Sequence, residues 1–370
     1  MYCLNRDVAG VNSLLLDFAL SGFDEGFVGR KSDPFLIEVD RSAVEKAAYA
    51  AGMAVPWHAE ADPLGNGATL KPIAVLPYFW HLINNTPTYR AYEAKFVMGD
   101  VMADRQGHLH TGDDYRYFEP IVVGDTIAVS CEVTRVYHKT GRQGPMKFIE
   151  DVWTFLNQHN RVAGELVRKV VTIDAVGTPP PPPPIPGPDL PALTGAAPKR
   201  IAARPWEDPA SAVDLFDGRE HAFRHEHGAV GLTSMVQWMG AVDDYAKTHY
   251  DVDYCRERGF PGDLPITAGP QAGAIMAAPV VAWAGRGGWI EEFRHIQRRS
   301  VYPGDVLATC GVARPTADRD VVEVEAWLVD DENRVRNTAG FTIRRRAGGP
   351  VGERSRLWLP QGGPSAAVGG

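Results

Sequence analysis

Acid–base groups and glycines crowd together in one stretch of this 370-residue sequence, WMGAVDDYAKTHYDVDYCRERGFPGDLPITAGPQ at residues 238–271. Asp244 stands five positions before His249, Asp251 and Tyr254 follow, and Gly259, Phe260 and Gly262 make a turn-like cluster. Gly269 then opens the apolar run PQAGAIMAAPVVAWA. A carboxylate and an imidazole can hold a water molecule between them, one taking its proton while the other returns one, and such general acid–base catalysis is worth on the order of 10²–10⁴-fold in rate. A glycine heading a helix leaves an N–H group free and lets a substrate approach the backbone closely. By residue type alone, Asp244 and His249 read equally well as polar residues at a helix end and in a loop; the surrounding pattern sets them apart. Asp243 reads as a solvated helix residue.

Several elements must position these groups. Met235, Trp238, Met239 and Val242 recur at i, i+3, i+4 and i+7, one apolar helical stripe, and Ser234 with Gln237 makes a capping-box pattern ahead of it. The run from Pro270 to about Ala284 is almost wholly apolar, which predicts a buried helix with Pro270 in its first turn and Pro279 as a kink point. Earlier in the chain, Asp40 can cap a helix RSAVEKAAYAA ending at Gly52.

The sequence also repeats itself. VVGDTI at residues 122–127 and YPGDVL at 302–307 each lead into a strand-like segment. A second strand follows in each case, then an Asn-Arg-Val turn at Asn160–Val162 and Asn333–Val335, then a last strand. Three antiparallel strands in the same order with the same turns predict a duplicated domain. Between the copies, residues 176–198 carry six consecutive prolines, Pro179 to Pro184, which form neither helix nor sheet and hold an extended spacer. The predicted organisation is an N-terminal extension (1–24), a first domain (25–175), a Pro-rich linker (176–199), a second domain (200–346) and a Gly/Ser/Pro-rich tail (347–370).

The 238–271 stretch resembles the MaoC-like, (R)-specific enoyl-CoA hydratase family, whose signature is an aromatic-led helix ending in Gly-Asp-x-Asn-Pro-x-His-x-Asp, then Tyr-Ala, a Gly-Phe-x-Gly turn and His-Gly heading the central helix. Asp244, His249, Asp251, Tyr254, Gly259, Phe260, Gly262 and Gly269 stand at the matching positions. The segments VGRKSDPFLIEVDRSAVEKAAYAAG and LHTGDDYRYFEPIVVGDTI resemble the N-terminal repeat of large double hot-dog dehydratases. The resemblance implies an α+β double hot-dog fold, two antiparallel sheets each wrapping a central helix and joined into one continuous sheet, with the first repeat degenerate and the second catalytic. It implies hydration or dehydration of an enoyl-CoA with Asp244 and His249 as the acid–base pair and the Gly269 N–H as oxyanion donor. Tyr250, Lys247, Tyr254, Phe260 and Gln271 are then substrate contacts, and Asp251 and Gly262 support the loop. Ala246, Lys247 and Ala268 replace the family's Asn, Pro and His. His249-Tyr250-Asp251 and Gly269-Pro270 match the mesaconyl-thioester hydratase-like branch, whose arginine near position 247 suggests that Lys247 meets a second carboxylate.

Composition narrows the partners. A net charge of −8 argues against nucleic acid. Cys3, Cys131, Cys255 and Cys310 lack metal or redox spacing, which suits a reducing cytoplasm, and no apolar run approaches the roughly 20 residues of a membrane span. The expected partner is an acyl-CoA or acyl-carrier-protein thioester, with no cofactor beyond the coenzyme A of the substrate, no metal, and a homodimer by resemblance. Competing readings are a non-catalytic acyl-binding subunit and a hot-dog thioesterase; the latter usually carries a carboxylate on the central helix, and Pro270–Ala284 has none. Thr111-Gly112-Asp113 reads as a turn, since no His-x-Asp follows it, implying one active site per chain. Arg224-His225-Glu226-His227 reads as a strand with its histidines on a solvated face, and Arg294, Arg298 and Arg299 are left without a role.

Overall fold

The computed structural model describes residues 28–53, 57–61, 68–72, 76–86, 108–141, 144–173, 184–188, 214–257, 259–284 and 288–345. The expected N-terminal extension, the tail and most of the linker lie outside these residues. The first unit comprises β1 (Phe35–Glu38), α1 (Arg41–Ala50), β2 (Trp57–Ala61), β3 (Ala68–Pro72), α2 (Leu76–Asn84), β4 (His108–Tyr117), β5 (Thr126–Gly141), β6 (Gly144–Leu156) and β7 (Val162–Ile173). The second comprises β8 (His221–Ala229), α3 (Leu232–Val242), α4 (Val252–Glu257), α5 (Gly269–Ala284), β9 (Gly288–Gln297), β10 (Val306–Pro315), β11 (Val321–Asp330) and β12 (Val335–Arg345), with single 3₁₀ turns at Lys247–His249 and Pro261–Asp263.

Ten strands form one sheet in the order β1-β5-β6-β7-β4-β9-β12-β11-β10-β8, and β2–β3 is a separate hairpin. The second half of that order retraces the first, so the two repeats meet back to back where β4 pairs antiparallel with β9, Asp113 opposite His295 and Tyr115 opposite Phe293. The repeated turns are equivalent down to their hydrogen bonds. Asp125 Oδ2 accepts from Val122 N at 2.8 Å and Asp305 Oδ2 from Tyr302 N at 3.0 Å. The glycine before each aspartate has positive φ, +93° at Gly124 and +101° at Gly304, a conformation that excludes most side chains. The next turns close with Asn157 N on Arg161 O and Asp330 N on Arg334 O, with Asn160 and Asn333 both left-handed.

The helices lie where apolar patterning demands. Every residue of α5 except Val281 is buried, so this helix needs no polar face. Its counterpart α2 has 9 residues against 16, which at 1.5 Å per residue makes it about 10 Å shorter. Asp40 caps α1 by accepting from Ala43 N at 2.9 Å, as predicted. The capping box expected at Ser234 does not form. Gly231 is the N-cap of α3 and Ser234 sits inside the first turn, its hydroxyl donating back to Gly231 O. Among the described residues no helix is long and apolar enough to cross a membrane.

The end of the proline run is docked. Pro186 bridges Arg334, Val335 N donates to Ile185 O at 2.7 Å, and Asn333 Nδ2 donates to Gly187 O at 2.9 Å. A Cβ on Gly187 would stand 2.9 Å from Asn333 Oδ1 and also press on Val329. Proline has no N–H to give a ladder, so this contact uses the carbonyl of Ile185 and the backbone of Gly187.

Candidate active site

The loop after α3 holds the predicted pair. Asp243 ends α3 in a left-handed conformation, φ 54°. It is not a solvated helix residue: its Oδ2 accepts from Asn85 Nδ2 at 2.8 Å and lies 3.2 Å from His81 Nδ1. Asn84 Nδ2 also donates to Val242 O at 2.7 Å. The C-terminal end of α2 therefore clasps the root of the loop, so the first repeat fixes where Asp244 begins. Asp244 Oδ1 accepts from Ala246 N at 3.1 Å, an Asx turn that needs only backbone and is unaffected by alanine at 246.

His249 is tethered. Its Nδ1 lies 2.7 Å from Ile266 O. A carbonyl only accepts, so Nδ1 carries the proton and Nε2 is left as the basic nitrogen. The same loop is zipped to the approach of α5 by Ile266 N donating to Thr248 O at 3.0 Å. Both Asp244 and His249 are half-buried, and among the described residues no hydrogen bond or ion pair joins them.

Gly269 is the first residue of α5 and is buried. Helix geometry leaves its N–H without an intrahelical acceptor, and Pro270 has none to offer. Gln271, in the same first turn, is fully buried and donates through Nε2 to Ser234 O at 3.1 Å, tying α5 to α3; its Oε1 has no partner among the described residues.

The remaining predicted residues shape the loop. Lys247 is exposed, 3.5 Å from Asp251 and above the Tyr254 ring. Asp251 Oδ1 accepts from Tyr254 N and so caps α4. Tyr250 donates to Tyr245 O at 3.1 Å, and Gly262 sits at φ 68°. Phe260 is half-buried at the start of the Pro261–Asp263 turn.

Thr111-Gly112-Asp113 is not a turn but the bulged middle of β4, where Gly112 packs directly on the His295 carbonyl. Asp113 is fully buried and accepts from His110 Nε2 at 2.7 Å, Tyr115 OH at 3.0 Å and His295 Nε2 at 3.2 Å. Burial raises its pKa, but the two imidazoles outweigh that and hold the carboxyl below the ordinary range. Sequence reasoning missed this cluster; the sole signal was a histidine on each of two strands whose pairing was unknown.

His225 and His227 are buried on β8 rather than solvated, with His227 Nε2 2.7 Å from Thr309 Oγ1. Burial pushes the His225 imidazole down to about 4 and His227 well below its ordinary value. Both are therefore neutral in the fold, while the unfolded chain takes up protons near pH 6.5. The stability they permit is complete above that value and is lost as pH falls toward 4. Urea unfolding should weaken over this window by up to about 1.4 kcal/mol per pH unit for each histidine, and His225→Phe should flatten the slope.

Comparison with known proteins agrees with the architecture. Residues 26–166 match the family model described as FAS1-like, dehydratase domain region. A structure described as a MaoC-like dehydratase superposes with TM-score 0.61 at 16% identity, over 87% of this chain and 99% of that one. A putative MaoC domain protein dehydratase from Chloroflexus aurantiacus gives 0.55 at 16% identity, covering 87% and 96%. A Mycobacterium tuberculosis protein described as having a double hotdog fold gives 0.54 at 15% identity, covering 88% and 98%. A search of curated protein sequences finds no match. The fold is the double hot-dog.

Proposed function

We propose that this double hot-dog chain, with a FAS1-like dehydratase region in its first unit, adds water to or removes it from the C2–C3 double bond of an acyl-CoA thioester, with (R) stereochemistry. The observation that carries the reading is the His249 tether. Donation of Nδ1–H to the Ile266 carbonyl fixes the tautomer and presents Nε2 as a base on the loop that leads into the head of α5. In hydration, His249 Nε2 and Asp244 hold the water, its oxygen bonds C3, and its proton passes through the pair to C2. Negative charge grows on the thioester oxygen, and the Gly269 N–H meets it; one such donor is worth roughly 3 kcal/mol. The reaction as proposed uses no resident cofactor.

On the same reading, a longer acyl chain lies beside α2 of the first unit. Ala246 in place of the family asparagine supports the competing reading, an acyl-binding subunit without turnover. A panel of straight-chain and dicarboxylic enoyl-CoA esters, followed by loss of the enoyl-thioester absorbance, separates the two. Turnover with (3R)-hydroxyacyl product is expected. Binding without turnover across the panel would leave the subunit reading, and thiol release would indicate a thioesterase. If Lys247 meets a second carboxylate, Lys247→Met lowers activity on the dicarboxylic esters alone.

A further inference from the structure

The Asp113 cluster lies directly beneath α5. A Cβ on Gly269 would collide with His110 Nδ1 and Gln297 Oε1, and one turn later a Cβ on Gly273 would stand 2.8 Å from His295 Nε2. Two imidazoles held by one buried carboxylate thus cradle two glycines on the same face of the helix. The carboxylate is itself anchored, because Trp80 Nε1 donates to Tyr115 OH at 2.7 Å and that hydroxyl donates to Asp113 Oδ2. Trp80, His110, Asp113 and Tyr115 all belong to the first repeat.

We propose that Asp113 and His110 are positioning residues for the thioester site: they set the height and rotation of the α5 head, and through Gly269 they aim the oxyanion donor. The degenerate repeat, on this view, keeps a role in the chemistry of the other. The inference rests on the thioester reading above. A small displacement is enough to matter, since a misplacement of about 1 Å at a reacting centre costs on the order of 10²-fold.

The same three side chains, His110, Asp113 and His295, have ligand atoms close enough to share a metal ion. A metal-bound histidine almost always donates its other ring N–H to a partner. Among the described residues, His110 Nδ1 and His295 Nδ1 are buried with no partner. A metal on the Nε2 atoms would leave two buried donors unsatisfied, whereas the carboxylate anchor uses both Nε2–H groups.

The test uses 4-(dimethylamino)cinnamoyl-CoA, whose absorbance moves to the red as its thioester carbonyl is polarised, read alongside crotonyl-CoA hydration. Asp113→Asn and His110→Gln should shrink the red shift and lower kcat at least tenfold with KM changed less than twofold. Tyr115→Phe, which removes one donor to Asp113 and the acceptor of Trp80 Nε1 while keeping the ring, should act in the same direction by a smaller factor. His249→Ala should keep the full red shift while losing turnover. An unchanged shift and kcat in all three cluster variants overturns the positioning role and leaves the thioester function standing. No probe binding and no turnover by the wild type overturns both. One equivalent of Zn²⁺ bound by the wild type and lost in Asp113→Asn would replace the positioning role with a metal centre.

Discussion

Replacing His249 with alanine should slow enoyl-CoA hydration by about 10²–10⁴-fold, with secondary structure and melting temperature close to wild type. The ring is half-buried in a loop, and its one hydrogen bond among the described residues runs to a carbonyl, Ile266 O. Its removal therefore costs the fold one part-buried contact, about 1 kcal/mol, while the proposed reaction loses its base. Asp244→Asn should fall in the same range, because the amide can still accept from Ala246 N and keep the Asx turn but no longer takes a proton. Combining the two should add little beyond the worse single change, as is usual for groups that act on one water as a unit. Steady-state kcat with crotonyl-CoA measures all three. Wild-type rates in both single variants would remove the pair from the mechanism.

The largest stability effect is expected far from that loop, at Arg168→Met. Asp151 on β6 and Arg168 on β7 are directly opposite each other in the sheet. Arg168 Nη2 lies 2.6 Å from Asp151 Oδ2 and its Nε also donates to the same carboxylate; the two side chains are 3% and 1% exposed. Trp153 Nε1 donates to Asp151 Oδ1 at 2.8 Å. Losing the guanidinium strands a buried carboxylate on the Trp153 N–H alone, which should cost about 3–5 kcal/mol at neutral pH in urea unfolding. By contrast, Lys31–Glu132 is 67% and 37% exposed, and its loss should cost less than about 1 kcal/mol. Asp151→Leu added to Arg168→Met should recover most of the loss, since a well-packed apolar pair often replaces a buried ion pair without penalty.

How much of this was legible in the sequence follows from the range of each interaction. The Gly-Asp and Asn-Arg-Val turns were readable twice over because Gly124, Gly304, Asn160 and Asn333 satisfy local backbone demands within a few residues. The α5 helix announced itself by lacking any polar face. The Asp40 cap needed only a neighbour three residues away, whereas the Ser234 box failed because the chain had already begun its helix at Leu232. Asp113 and His295 are 182 positions apart. Their meeting depends on β4 pairing with β9, an outcome of the whole sheet order that no local pattern encodes. The buried histidines of β8 were misread for a related reason: alternation along a strand says which residues share a face and not what covers it.

The β4–β9 seam also has a consequence for how the molecule behaves on dilution. Were the two repeats separate chains, this seam would be a subunit boundary, and the fraction assembled would fall with concentration. Here one chain carries both sides, so the local concentration of each half around the other is set by the tether and not by the sample. The pairing of the two repeats should therefore be independent of protein concentration from micromolar to picomolar. A protease cut within the proline run, by releasing that tether, would turn a unimolecular fold into a mass-action equilibrium.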